Sequence, residues 1–242
     1  SQSTVLGLDV ERPLGGGWIA TGQVAGSHVS GSADAIARLQ RAFPRLYQRP
    51  DAGHLTFDPT RTALSGWTGE ANLLKTTGSW VGSFHAALTS PGFDANDLGF
   101  QSRADQIGLG TVVVYQQNQP RGVFQRWSAN SFLGSRWNTG GDHEVTFLGG
   151  NFNSTFRNFW GLGVNGEVFS DGLSDRLTRG GPLAGRAAGF GLNVNGWSDS
   201  RKPVSAFLWT GMNLDRAGER FNGVEAGIEA RPSSSLSVRL GP

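Results

Sequence analysis

Between residues 160 and 168 the apolar side chains Trp160, Leu162, Val164 and Val168 alternate with Gly161, Gly163, Asn165 and Glu167. On an extended backbone this places one set on each face. Three further segments divide in the same way. Ile107, Leu109, Val113 and Tyr115 oppose Gln106, Gly108 and Gly110; Phe190, Leu192 and Val194 oppose Gly191, Asn193 and Asn195; Val204, Ala206, Leu208 and Met212 oppose Ser205, Gly211 and Asn213. Runs of roughly 9–11 residues, apolar on one face and polar on the other, are the signature of a transmembrane β-barrel. The expected fold class is therefore all-β: an antiparallel outer-membrane barrel forming a single domain over residues 1–242 or a fragment of one, with about twelve strands visible and the barrel incomplete.

The pattern predicts strands over 3–10, 18–28, 63–75, 80–90, 106–117, 123–135, 143–152, 159–169, 188–198, 203–213, 221–230 and 236–240. Alternate connections, at 11–17, 76–79, 118–122, 153–158, 199–202 and 231–235, are short and rich in turn residues. On the other side 29–62, 91–105 and 170–187 are long, whereas 136–142 and 214–220 are not. Short turns face the periplasm in outer-membrane barrels and long loops face outward, which sets the expected orientation. The one break in the β pattern is Ala33 to Tyr47, where Ile36, Leu39 and Phe43 recur at helical spacing. A short amphipathic helix over the barrel mouth is expected there, in a long extracellular loop over 29–62.

Composition sharpens this picture. Charged residues are 17% of the chain and 37 of its 242 residues are glycine, against about a quarter charged in ordinary soluble domains. No stretch approaches the roughly 18 apolar residues of a membrane helix, which leaves a barrel as the way to satisfy backbone polar groups in lipid. There is no cysteine, so neither a disulfide nor a thiolate metal site can form. A net charge of +2, with Lys and Arg scattered, gives no reason to expect a nucleic-acid partner. Most of Trp18, Trp67, Trp80, Trp127, Trp137, Trp160, Trp197 and Trp209 fall near predicted strand ends, as an aromatic girdle requires. By alternation Trp197 and Trp209 instead point into the lumen. Ser1 opens without a leader-like pattern and Ser235 to Leu240 reads as a strand just begun, so the sequence is expected to be a segment of a longer protein.

The block Pro91-Gly92-Phe93-Asp94-Ala95-Asn96-Asp97-Leu98-Gly99-Phe100-Gln101-Ser102-Arg103-Ala104-Asp105, followed by an alternating strand, resembles a motif of the barrel family called domain of unknown function 5916. Tyr47-Gln48-Arg49-Pro50-Asp51, His54 and Leu64-Ser65-Gly66-Trp67 look like the same family's preceding loop and strand. The resemblance implies a bacterial outer-membrane β-barrel, commonly placed after a module similar to carbohydrate-binding family 9. It names no reaction.

Candidate chemistry is sparse. Asp94, Asn96, Asp97 and Asp105 offer oxygen ligands for a hard cation in one loop, against the simpler reading that such residues shape turns. His28, His54, His85 and His143 show no helical i, i+4 pair, and His85 is expected on the lumen side, hydrogen-bonded to neighbours. No Gly-x-Ser-x-Gly elbow or phosphate-binding glycine frame is present, and no Ser and His can be placed together, so no catalytic residue, cofactor or enzymatic activity is expected. The inward face is expected to carry Arg126, Asn130, Asn165, Glu167, Asn193, Asn195 and Glu225, among others. Such rings either set selectivity in a water-filled pore or simply fill a narrow barrel with satisfied polar groups. The function expected is that of an envelope pore or scaffold in the bacterial outer membrane, in contact with lipid and envelope proteins, with a link to glycan handling or transport. Its alternatives are a structural subunit of a larger assembly or a soluble β-barrel binding module.

Overall fold

The computed structural model describes residues 2–95, 101–233 and 235–241. It is dominated by one antiparallel sheet of twelve strands in the order β1-β2-β3-β4-β5-β6-β7-β8-β11-β12-β13-β14. These are β1 Gln2–Gly15, β2 Trp18–Ser30, β3 Ala63–Lys75, β4 Trp80–Thr89, β5 Gln106–Gln117, β6 Phe124–Trp137, β7 His143–Phe156, β8 Gly161–Phe169, β11 Gly189–Trp197, β12 Val204–Asp215, β13 Arg220–Ser233 and β14 Leu236–Leu240. A separate hairpin, β9 Gly172–Ser174 with β10 Ala184–Arg186, lies within the connection from β8 to β11. Among the described residues β1 and β14 each pair with a single neighbour, so the expected barrel is here an open twelve-stranded meander.

Several strands run past their predicted ends. β1 continues to Gly15, leaving Gly16 and Gly17, both at positive φ, as the turn to β2; residues with φ > 0 are what tight hairpins demand. β7 reaches Phe156 rather than 152, and Trp160, expected inside a strand, sits just before β8 in a turn where its N–H donates to Asn158 Oδ1 at 3.1 Å. The predicted helix is shorter than its pattern: α1 covers Ala33–Arg41, with Ser32 Oγ accepting from Ala35 N at 3.3 Å as its N-cap. Pro44 cannot continue a helix and restricts the residue before it, which accounts for the early stop. Phe43, expected beside Ile36 and Leu39, is consequently swung out and 54% exposed, while Ile36 is buried.

The register puts one continuous apolar surface on the sheet. Leu8, Val24, Gly69, Leu88, Ile107 and Trp137 align across β1 to β6, and Leu133, Leu148, Val168, Phe190 and Leu214 across β6 to β12. Leu8, Leu109, Leu148, Leu192, Leu208 and Val224 on this face are exposed. A core residue would be covered; here the apolar face has no second layer against it among the described residues. Toward the short-turn end this face carries Trp80, Tyr115, Trp127, Phe124, Phe152 and Phe156 in successive ring contacts of 4.9–6.4 Å between centroids. Trp67 and Trp137 mark the long-loop end. The ten residue steps from Trp127 to Trp137 span about 33 Å of strand, or roughly 25 Å along the axis if strands tilt by about 40°.

The opposite face is not purely polar. Phe132, Phe147, Phe169, Trp197, Phe207 and Trp209 lie among its amides and carboxylates, several of them over glycines of the next strand. A Cβ on Gly161 would fall 1.9 Å from the Trp197 indole, so this ring lies flat on the sheet only because residue 161 has no side chain. The small enclosed core forms at the long-loop end of the same face, where Val29, Ile36, Tyr47 and Leu64 are buried together against Leu39, Leu55 and Phe57.

Candidate functional site

Two structures stand on the inner, mixed face: a wall of amides along the strands and a cap of ion pairs at the long-loop end. Asn130, Asn151, Asn165 and Asn193 occupy one register line across β6, β7, β8 and β11. An amide both donates and accepts, so identical residues in line can bond head to tail. Asn151 Nδ2 donates to Asn130 Oδ1 at 3.0 Å, Asn165 Nδ2 to Asn151 Oδ1, and Asn193 Nδ2 to Asn165 Oδ1 at 3.4 Å. On neighbouring lines stand Glu167, Asn195 and Glu225, so the residues expected on the lumen side share one face. Arg126 is there too. Together with Gln116, Asn118, Ser128, Asn153 and Trp197 it lines a cavity of about 370 Å³ near the short turns. Further along the sheet His85 Nδ1 meets Asn72 Oδ1 at 2.7 Å on the same face, as expected from alternation.

The cap is assembled from four connections, of which the described residues are 31–62 including α1, 91–95 with 101–105, 138–142 and 170–188. Its centre is Asp105, buried and at φ 58°, which accepts from Thr139 N at 3.0 Å and from Thr139 Oγ1, and pairs with Arg49 Nη2 at 3.1 Å and His54 Nε2 at 3.0 Å. Arg49 Nη1 lies 3.1 Å from Asp175 Oδ2, an ion-pair distance without hydrogen-bond alignment. Asp175 also holds Arg103 at 3.1 Å and Arg176 at 3.3 Å; Arg103 pairs in addition with Glu144, which Arg136 reaches from the sheet at 3.1 Å. Arg45 is fully buried, with Nη2 2.8 Å from Asp94 Oδ2 and 2.7 Å from the Phe93 carbonyl. The loop carrying Asp94 rests on the sheet itself, where a Cβ on Gly66 would fall 2.0 Å from Phe93 N, and Asp94 N donates to Ser27 Oγ at 2.8 Å.

Burial sets the electrostatics. Desolvation pushes the Arg45 and Arg176 guanidinium groups below their usual range and Arg103 down to about 10, against the opposing pull of Asp94 and Asp175. Burial also acts to raise the Asp105 carboxyl, but the hydrogen bonds from Thr139 and His54 and the charge of His54 outweigh it, and Asp105 titrates below the ordinary range. Arg103 and Asp105 thus stay ionised at neutral pH.

The carboxylates considered as cation ligands are therefore accounted for differently. Asp94 and Asp105 are each held by a guanidinium, and Asn96 and Asp97 lie outside the described residues. No cluster of three or more metal-ligating side chains occurs among the described residues. The reading that Ser and His do not meet is corrected: His28 Nδ1 is 2.8 Å from Ser65 Oγ, because Ser65 is its direct cross-strand partner on the apolar face, and His143 Nε2 is 2.9 Å from Thr146 Oγ1. None of the hydrogen bonds or ion pairs of the described residues supplies His28 with a carboxylate. The Arg45–Asp94, Arg49–Asp105 and Arg103–Asp175 pairings were missed by sequence reasoning. Their signal was the concentration of Arg and Asp in the three longest connections.

A meander sheet, exposed and apolar on one face, amide-lined on the other and capped by ion pairs at one end, defines an all-β protein whose polar side is its organised side. Within that class the chain belongs to the family described as Domain of unknown function (DUF5916), whose model matches residues 47–235. No curated protein and no solved structure matches it.

Proposed function

We propose that this chain is the wall of an outer-membrane β-barrel that serves as an envelope pore or scaffold, with its amide-lined face around an aqueous interior and its cap at the outer mouth. The observation that carries the reading is the uncovered apolar face: aliphatic along its middle, aromatic at both ends, and about 25 Å between the aromatic bands, the height of a barrel's lipid-facing zone. An exposed apolar surface reaching across twelve strands is far beyond the few hundred Å² that soluble monomers leave uncovered. Insertion in lipid requires β1 and β14 to be paired, with each other or with further strands, since an open edge is not tolerated there. Amides alternating with flat indole rings at Trp197 and Trp209 suit a hydroxyl-rich neutral solute such as a glycan, which they would bond and stack.

Single-cysteine variants along 105–115 and 188–198, in the cysteine-free chain, test this with a lipid-soluble photoreactive probe. Labelling is expected at every second residue, Ile107, Leu109, Thr111, Val113 and Tyr115 in the first segment and Phe190, Leu192, Val194 and Gly196 in the second, and not at the residues between. Uniform absence of labelling would move the protein to a soluble binding module. Conductance in planar bilayers then separates pore from scaffold: ion current from the labelled protein assigns a pore, and a closed bilayer assigns the structural role.

A further inference from the structure

The short-turn end of the sheet carries its cations differently from the long-loop end. In the cap, Arg45, Arg49, Arg103 and Arg176 all face carboxylates. At the short turns Lys75, Arg121, Arg157 and Lys202 have no carboxylate partner among the described residues. Two of them meet at a groove of about 690 Å³ between the β7–β8 and β11–β12 turns, which are adjacent because β8 pairs with β11. One wall of this groove is the apolar face, where Trp160, Val204 and Ile228 are 55%, 59% and 50% exposed. The other wall is polar and holds Arg157 and Lys202.

We propose that this groove binds an anionic glycerophospholipid, its phosphate on Arg157 and Lys202 and its acyl chain along Trp160, Val204 and Ile228. The inference rests on the outer-membrane reading above. The carboxylate at the groove, Asp199, is engaged first by Arg201 and acts on Lys202 only through a weaker Coulombic pull. Both of its oxygens are taken by Arg201, through Nε and Nη2 at 2.8 Å each, and the Arg201 guanidinium is itself stacked 3.1 Å from the centre of the Phe159 ring. The hydrogen bonds from Arg201 hold the Asp199 carboxyl near a pKa of about 2, so this pair stays closed across the physiological range. The turns are fixed before any ligand arrives: Phe156 N donates to the Trp160 carbonyl at 2.8 Å, and Lys202 N to the Asp199 carbonyl at 3.1 Å. Two cations without an ion pair among the described residues, beside an exposed apolar wall, match a molecule that is anionic at its head and apolar along its length. A free anion would use only half of the groove.

The test is native mass spectrometry of the full chain in detergent, titrated with phosphatidylglycerol, phosphatidylcholine or inorganic phosphate. The wild type is expected to retain phosphatidylglycerol in preference to phosphatidylcholine by roughly thirtyfold, from about 1 kcal/mol for each of two cations near the headgroup. The double variant Arg157→Gln with Lys202→Gln should lose that preference, and Arg157→Lys with Lys202→Arg should keep it and so exclude a folding defect. Trp160→Ala should weaken both lipids alike. Equal retention of the two lipids, or an unchanged preference in the double glutamine variant, overturns the site. Inorganic phosphate that displaces phosphatidylglycerol at millimolar concentration would make it a free-anion site and overturn the lipid assignment. A wild type that binds neither lipid and stays monodisperse without detergent would instead overturn the membrane reading on which this one rests.

Discussion

Replacing Asp105 by Ala removes a carboxylate on which three parts of the cap converge: Arg49 and His54 from the loop after α1, Thr139 from the β6–β7 turn, and the 91–105 connection that carries Asp105 itself. Hydrogen bonds to a charged group contribute about 1.5–3 kcal/mol each, but four on one carboxylate do not add independently. A better bound is the cost of leaving a buried cation without its partner, about 3–5 kcal/mol, because the Arg49 side chain is nearly inaccessible and its other contact, to Asp175, is misaligned. Asp105→Asn keeps an acceptor for both Thr139 donors but sets an amide N–H against Arg49 in place of Oδ2, so it should spare the Thr139 bonds alone and cost less than Ala. Hydrogen exchange in detergent reads this locally: amides of 31–62 and 138–142 should exchange on the order of a hundredfold faster or more in the alanine variant, while β5 to β8 stay protected. Acid should act in the same way on the wild type. The Asp105 carboxyl titrates lower in the folded chain than in the unfolded one, so its contribution is fully present above the unfolded value of 3.8 and fades as the pH falls through the lower folded value. The asparagine variant should lack this acid step. Unchanged exchange in Asp105→Ala, or equal effects of Ala and Asn, would refute the account of the cap as an ion-paired unit.

Leu192→Arg on the apolar face should destabilise the protein in lipid by about 2–4 kcal/mol, as seen in urea titrations of folding into vesicles, whereas Asn193→Arg, one residue on, should cost much less; equal costs would contradict the assignment of faces. Gly161→Leu should lift the Trp197 ring off the sheet and change indole emission, an effect that Gly185→Leu, where the added side chain meets open space, should not produce. Asn165→Leu interrupts the amide row at both of its neighbours and should cost about 1–2 kcal/mol, because each broken bond is worth about 0.5–1.5 kcal/mol and lies within reach of water.

The strands were legible because the strongest local signal, a period of two, is also what the sheet uses: each of the twelve predicted segments overlaps one strand of the observed sheet. The errors lie at ends, where pairing with a neighbour prolongs a strand beyond its own pattern, as with β7 to Phe156, or where Pro44 stops α1 before its apolar repeat is finished. The amide wall followed from parity alone, since Asn130, Asn165 and Asn193 sit on predicted polar positions. Asn151 was not singled out, although it joins Asn130 to Asn165. The cap was hidden for a different reason. Arg45 and Asp94 are 49 residues apart, and Arg103 and Asp175 are 72 apart; no periodicity links them, and Asp94 and Asp105 on their own looked like oxygen ligands. Likewise His28 and Ser65 meet only because of the β2–β3 register.

In this sheet each strand lies beside the one before it in the chain, apart from the small hairpin between β8 and β11. Most strands close only a short loop, the connections before β3, β5 and β11 being the long ones, and the sheet can grow by one hairpin at a time. The cap is the exception to this locality. Its contacts reach from Arg45 to Asp94, from Arg49 to Asp105 and Asp175, and across 133 residues from Phe43 to Arg176. They can form only after β2 to β8 are in place and in register, because a slip by one residue would turn Ser27 and Leu64 to the wrong face. Closure of the cap thus follows the assembly of β2 to β8 and tests their register: a chain that has miscounted anywhere between them keeps its arginines in water.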